Sequence, residues 1–341
     1  MALLYMDGFD MQDCDLRWAT IGSNTAAVEY AAGRLGTGFC LGLTSGSGVQ
    51  TRQRSFTASA KVIVGLGVKR NNTADDGDFL ILKGDAGATS HLSLRARSGN
   101  QLQLTRGGTV IATASGVDLS VFHYIEVSAT VADSGGRAIV KVDGITVIDF
   151  TGDTKNGGTN TTLDALALSQ PVIGGSIRYW FDDVYICSGV DSGIAGMPNN
   201  DFLGDRQVVT LRPSGAGSST QLAPTGSATN WQNVDETPFD AADYNASAVV
   251  GQRDTYALGD LPSGSGVVHG IQNCMIAQKS DAGNANMKTA VKSGAGVYYG
   301  PVVGLATSPA WSGTIRESDP ATSAAWTAAG VNALEAGAEV A

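Results

Sequence analysis

From residue 91 to residue 150 the chain repeats one pattern. Apolar and polar residues alternate for four to six positions or more, a short turn-forming group follows, and the alternation resumes. His91-Leu92-Ser93-Leu94-Arg95 and Gln101-Leu102-Gln103-Leu104 flank Ser98-Gly99-Asn100. Gly107-Gly108 leads into Thr109-Val110-Ile111-Ala112-Thr113. Phe122-His123-Tyr124-Ile125-Glu126-Val127 runs on to the turn Asp133-Ser134-Gly135-Gly136, and Ala138-Ile139-Val140-Lys141-Val142 is joined by Asp143-Gly144 to Ile145-Thr146-Val147-Ile148. A period of two puts successive side chains on opposite faces of a strand, so each run can bury one face and wet the other. Asp-Gly and Gly-Gly supply the positive φ that tight hairpins need. Such a chain is constrained to antiparallel hairpins closed into a sandwich or barrel.

Three apolar runs extend the pattern: Lys61-Val62-Ile63-Val64, Phe79-Leu80-Ile81-Leu82 and Tyr179-Trp180-Phe181-Asp182-Asp183-Val184-Tyr185-Ile186. In the last, Phe181 and Tyr185 are expected to face the core between the sheets. No helical period survives three turns before residue 320, which excludes a parallel sheet with helical crossovers. Residues 189–203 hold Gly189, Gly193, Gly196, Pro198, Asn199 and Asn200 and read as a linker. It separates a first domain, 1–188, from a second, 204–341. The second is again strand-like at 206–211, 247–250, 266–271, 273–279 and 297–299. A short C-terminal helix is predicted over 328–336, capped by Thr327 and stopped by Gly337. The fold class is thus all-β: an N-terminal antiparallel sandwich of jelly-roll type and a second, smaller β-rich domain.

Charge and motifs narrow the function. With 22 Lys+Arg against 32 Asp+Glu the formal net charge is −10, so no basic surface for nucleic acid is expected. No run of 18 apolar residues predicts a membrane-inserted helix, and the start Met1-Ala2-Leu3-Leu4-Tyr5-Met6-Asp7 lacks the features of a signal peptide. Cys14, Cys40, Cys187 and Cys274 are far apart in sequence, with no C-x-x-C pair. Free thiols are expected in a protein made in a reducing cytosol. No nucleophile elbow, zinc-helix or phosphate-loop signature occurs. His91, His123 and His269 are dispersed, and the six Glu show no sandwich-glucanase spacing. Asp182 and Asp183 would point to opposite faces of a strand. The residues therefore predict no catalytic, cofactor or metal site, and the chain reads as a non-enzyme. Trp18, Tyr30 and Trp231 are the aromatics nominated for a glycan site, and Trp311 and Trp326 for assembly contacts.

Taken in order, Met6-Asp7-Gly8-Phe9-Asp10, Phe122-His123-Tyr124-Ile125-Glu126-Val127, Val140-Lys141-Val142-Asp143-Gly144-Ile145 and Phe181-Asp182-Asp183-Val184-Tyr185 resemble the concanavalin A-like (laminin G-like) sandwich of tailed-bacteriophage virion proteins. Phe122 stands where Trp is commoner. In the second half, Asn230-Trp231-Gln232-Asn233-Val234, Asp254-Thr255-Tyr256 and Val331-Asn332-Ala333-Leu334-Glu335-Ala336-Gly337 are similar to regions that follow such domains. The resemblance implies a tail-associated or capsid-decorating structural component. Such a component is made in the bacterial host cytoplasm, resides in the virion and acts by assembly with copies of itself and other virion proteins. The alternative is a tail adhesin that binds a host-surface glycan.

Overall fold

The computed structural model describes residues 1–21, 23, 27–44, 48–73, 76–171 and 177–341. The chain forms two compact units, one of residues 1–191 with 199–208, the other of residues 192–198 with 209–341.

In the first unit the alternating runs become strands where the sequence puts them. In chain order these are β1 (Leu3–Asp7), a single helical turn α1 (Cys14–Arg17), β2 (Ala19–Ile21), β3 (Glu29–Ala32), β4 (Phe39–Thr44), β5 (Gln50–Ser59), β6 (Lys61–Arg70), β7 (Gly77–Gly84) and β8 (Thr89–Arg97). The remainder are β9 (Gln101–Arg106), β10 (Thr109–Ser115), β11 (His123–Thr130), β12 (Gly136–Val142), β13 (Ile145–Gly152), β14 (Leu163–Gln170) and β15 (Arg178–Ser188). They make two antiparallel sheets. Sheet A has the order β13-β12-β11-β6-β15-β4-β3, with β1 also paired to β15, and sheet B has the order β10-β9-β8-β7-β14-β5-β2. At Asp143 and Gly144 φ is 48° and 80°, the doubly positive turn that matches strand twist in a two-residue hairpin.

The core lies between the sheets. Val62, Val64, Leu66, Val68, Ile125, Val127 and Phe181 of sheet A and Leu80, Leu82, Leu92, Leu94, Leu166 and Leu168 of sheet B are all buried. Phe181 lies in this core as expected, but Tyr185 does not. Asp183 adopts φ 50° and the β15–β6 register slips between Asp182 and Tyr185. A bulge of this kind shifts the alternation by one, so Tyr185 turns to the outward face of sheet A, against Gly65. A Cβ on Gly65 would sit 2.1 Å from that ring.

The stretch predicted as a linker is used differently along its length. Residues 199–208 lie over the outward face of sheet A as a strap. Leu203 N–H donates to the Tyr185 oxygen at 3.1 Å, Gly204 N–H to Glu126 Oε1 at 2.8 Å and Val208 N–H to Asp183 Oδ1 at 2.7 Å. Arg34 links Asp183 and Asp205 at 2.6 Å each. Val208 thus gives its amide to a carboxylate rather than to a ladder, and no strand forms over 206–211.

The second unit contains β16 (Pro213–Thr220), β17 (Ala223–Thr225), β18 (Tyr244–Ala246), β19 (Arg253–Leu258), β20 (Ile271–Ala277), β21 (Asn286–Ser293), β22 (Gly296–Tyr299), β23 (Val303–Gly304), β24 (Ala310–Arg316), α2 (Ala328–Asn332) and β25 (Glu335–Val340). Its largest sheet has the order β16-β19-β25-β21-β22, with β23 on β21, while β17-β18 and β20-β24 form separate pairs. Residues 247–250 are not a strand. Val249 N–H bonds Ser247 Oγ at 2.9 Å, a local turn that competes with sheet pairing.

The predicted helix is shorter than expected. Thr327 Oγ1 does accept from Gly330 N–H at 3.0 Å, but the helix ends at Asn332 and β25 begins at Glu335. Gly337 is no helix stop. It lies in the centre of the largest sheet, so close to β19 that a Cβ would sit 2.0 Å from the Asp254 carbonyl oxygen.

Candidate functional site

Side chains that alternate with the sheet B leucines face away from the core, and the registers align them in three rows. The middle row is Gln53, Ala167, Ile81, Ser93 and Thr105. On one side lie Ser55, Ala165, Lys83 and Ser90. On the other lie Asp78, Arg95, Gln103 and Thr113, with Thr51 and Ser169 paired beyond them. Ala165, Ala167, Ser169 and Ser93 are short, and Gln53, Lys83, Arg95 and Gln103 are long. The face is therefore a polar strip, called the channel below, in which short residues and Ile81 lie among long polar side chains.

The polar side chains are positioned by hydrogen bonds. Lys83 Nζ donates to Gln53 Oε1 at 2.9 Å, Arg95 Nε to Asp78 Oδ1 at 2.6 Å, and the Thr51 and Ser169 hydroxyls meet at 2.9 Å. Burial lowers the Lys83 pKa from its ordinary value, and the negative charge of Asp164 opposes that shift. Two groups remain unmatched. Gln103 is 9% exposed and Thr105 fully buried, yet Gln103 Oε1 and the Thr105 hydroxyl have no partner among the described residues. A buried polar group left unmatched costs about 1–3 kcal/mol. Such groups on an outward face are suited to a polar ligand or to ordered water.

The residues nominated from sequence lie elsewhere. Trp18 is 1% exposed; its indole N–H donates to Asp7 Oδ2 at 2.9 Å, and Tyr5 and Phe9 pack on it. A ring enclosed in this way offers no face to a sugar. Tyr30, half-buried, accepts Cys14 N–H at 3.0 Å. Trp231 is half-buried in a 3-10 turn of the second unit. Trp326 is buried with Val331 and Leu334 in the second unit's own core and donates to the Arg316 carbonyl at 2.9 Å. Trp311 is half-buried on β24, with its ring over Gly313.

The histidines do not converge. His91 Nδ1 accepts Asn156 N–H at 3.1 Å, His123 pairs with Asp143 at 2.6 Å, and His269 belongs to the second unit. Among the described residues no group of three or more His, Cys, Asp or Glu is placed to hold a metal ion, and none of the four cysteines is joined in a disulfide. The channel residues do carry a sequence signal. Ser93, Arg95, Gln103 and Thr105 are the polar members of the alternating runs, and their wet face was legible before the fold was known.

No family model matches the chain, and no curated protein matches it. Among solved structures it is similar to a sialidase (13% identity, TM-score 0.42), covering 55% of this chain and 18% of that one. It is also similar to the cellulose-induced protein Cip1 (14%, TM-score 0.43; 54% and 97% covered) and to the alginate lyase Aly36B (13%, TM-score 0.37; 55% and 92% covered). The chain therefore spans less than a fifth of the sialidase. At these values each likeness is one of fold alone, and none of the three names describes a virion protein. They do correct one expectation. The absence of a catalytic signature does not exclude an enzyme, since a sialidase and an alginate lyase are among the similar structures.

Proposed function

We propose that the first unit binds carbohydrate in the channel on the outward face of sheet B. One observation carries the reading: unmatched buried polar groups, Gln103 Oε1 and the Thr105 hydroxyl, lie on an outward face among long polar side chains, Ile81 and the short residues Ala165, Ala167 and Ser93. Saccharides present hydroxyls that both donate and accept, and the buried amide oxygen and hydroxyl can be satisfied by them once the side chains that cover these atoms shift. Fixed partners for Lys83 and Arg95 reduce the entropy lost on binding.

The test is a glycan array probed with the full chain and with Ser93→Tyr, which places a ring in the channel. We expect at least one saccharide to bind the unaltered chain and to be lost by the variant, with unchanged circular dichroism. No binding across the array, or binding that Ser93→Tyr leaves intact, overturns the reading.

A further inference from the structure

The positive charges of sheet B are not treated alike. Arg52, Arg95, Arg97 and Arg106 each hold a carboxylate, from Asp15, Asp78, Asp76 and Asp153 respectively. Lys83 holds none. Its ammonium group donates to the neutral amide of Gln53, and no carboxylate of the described residues lies within ion-pair distance. Lys69 and Lys141, half-buried on sheet A, also hold no carboxylate of the described residues, but they lie over aromatic rings, Lys69 over Phe122 and Trp180 and Lys141 over Phe202, and Arg54 of sheet B lies over Tyr5; Lys83 has the Gln53 amide in place of either. Burial weakens its hydration, and the negative charge of Asp164, beyond ion-pair distance, offsets this only in part.

The group is also held in place from behind. Asp164 accepts the N–H groups of Ala86 and Gly87 at 2.8 and 2.9 Å, which pins the β7–β8 turn. Gly87, at φ 77°, lies so close to Gln53 that a Cβ there would meet the amide nitrogen at 2.3 Å. With its nitrogen against that turn, the Gln53 amide presents its oxygen to Lys83. Asp164, the turn and Gln53 together fix the ammonium in the row beside Ser93 and Thr105.

We infer that Lys83 receives the carboxylate of an acidic saccharide, so that the channel selects uronate- or sialate-bearing chains over neutral ones. Arg95 contributes a second, weaker attraction, because Asp78 already neutralises it. The inference rests on the carbohydrate reading above and adds the charge of the ligand and the residue that reads it.

The experiment is calorimetric titration of the full chain with galacturonate oligomers, hyaluronan fragments and sialyllactose. The comparison ligands are methyl-esterified galacturonate oligomers and neutral cello-oligosaccharides. At least one acidic ligand should bind about tenfold or more tightly than its neutral counterpart, the scale of one charge-assisted contact. Added salt should reduce the preference. Lys83→Gln should abolish it with the melting temperature unchanged, and Lys83→Arg should retain much of it. Neutral saccharides binding as well as acidic ones, or a preference that survives Lys83→Gln, overturns the inference and leaves the carbohydrate reading standing. No binding by any saccharide overturns both.

Discussion

Asp182 and Asp183 are adjacent buried carboxylates that share the environment of one guanidinium. Arg34 gives its Nε to Asp183 Oδ2, while Asp182 receives only backbone N–H groups, from Arg34 at 2.8 Å and from Asp183 at 2.8 Å. Burial, with the charge of Asp183 added, pushes the Asp182 carboxyl up to about 8. A carboxyl whose pKa is raised on folding binds more protons in the folded state than in the unfolded state. Stability then falls as pH rises. The window runs from the ordinary carboxylate value near 4 up to about 8. Thermal melts of the full chain should show the first unit losing stability from pH 5 to pH 8.5. Asp182→Asn, which stays neutral, should flatten that slope. A slope unchanged in the variant would place the responsible proton elsewhere. Nothing in Phe181-Asp182-Asp183-Val184-Tyr185 announces this pair. Strict alternation puts the two carboxylates on opposite faces, and the bulge at Asp183 is set by tertiary packing around Gly65 and the strap.

Among elements, those fixed by local rules were legible. The hairpins β8–β9 and β12–β13 follow from alternation and turn chemistry, and both fall where the sequence places them. The polar face that forms the channel was legible as a wet face. Lys83 and Gln53 were not, because β5 and β7 meet across β14 only after the chain has crossed between the sheets. The C-terminus shows how a local signal can be right at one end and overridden at the other. Thr327 caps its helix, but the pairing of β25 with both β19 and β21 takes residues 335–340 out of it. Gly337 is then the residue on which the element depends. Its missing side chain lets β25 approach the Asp254 backbone, and Gly337→Ala must force those strands apart. The cost of such overpacking is about 1–3 kcal/mol. Differential scanning calorimetry of the full chain should show the second unit melting earlier in Gly337→Ala while the first unit's transition stays in place. A second-unit transition that does not move would mean that β25 is not held as closely as its pairing indicates.

At the scale of the molecule, the boundary between units is less simple than a change in composition. Gly, Pro and Asn mark residues 189–203 as a break, and residues 192–198 do leave the first unit. Residues 199–208 return to it because sheet A has an outward face that would otherwise expose buried acids. Glu126 is 1% exposed and relies on Tyr185 and Gly204 N–H as donors; Asp183 relies on Val208 N–H and Arg34, and Arg34 in turn on Asp205. A fragment ending at residue 191 keeps both sheets but loses the strap. Glu126 and Asp183 then each lose a hydrogen-bond donor, and Tyr185 loses its cover. A fragment ending at residue 208 keeps these contacts. Each lost hydrogen bond to a charged group is worth about 1.5–3 kcal/mol, reduced where water can replace the missing donor. Both fragments should be β-rich by circular dichroism, since the core between the sheets is common to them. The shorter one should melt several degrees lower and bind more of a hydrophobic dye. Equal melting temperatures would show that the strap rests on sheet A without stabilising it, and the first unit would then be complete at residue 191.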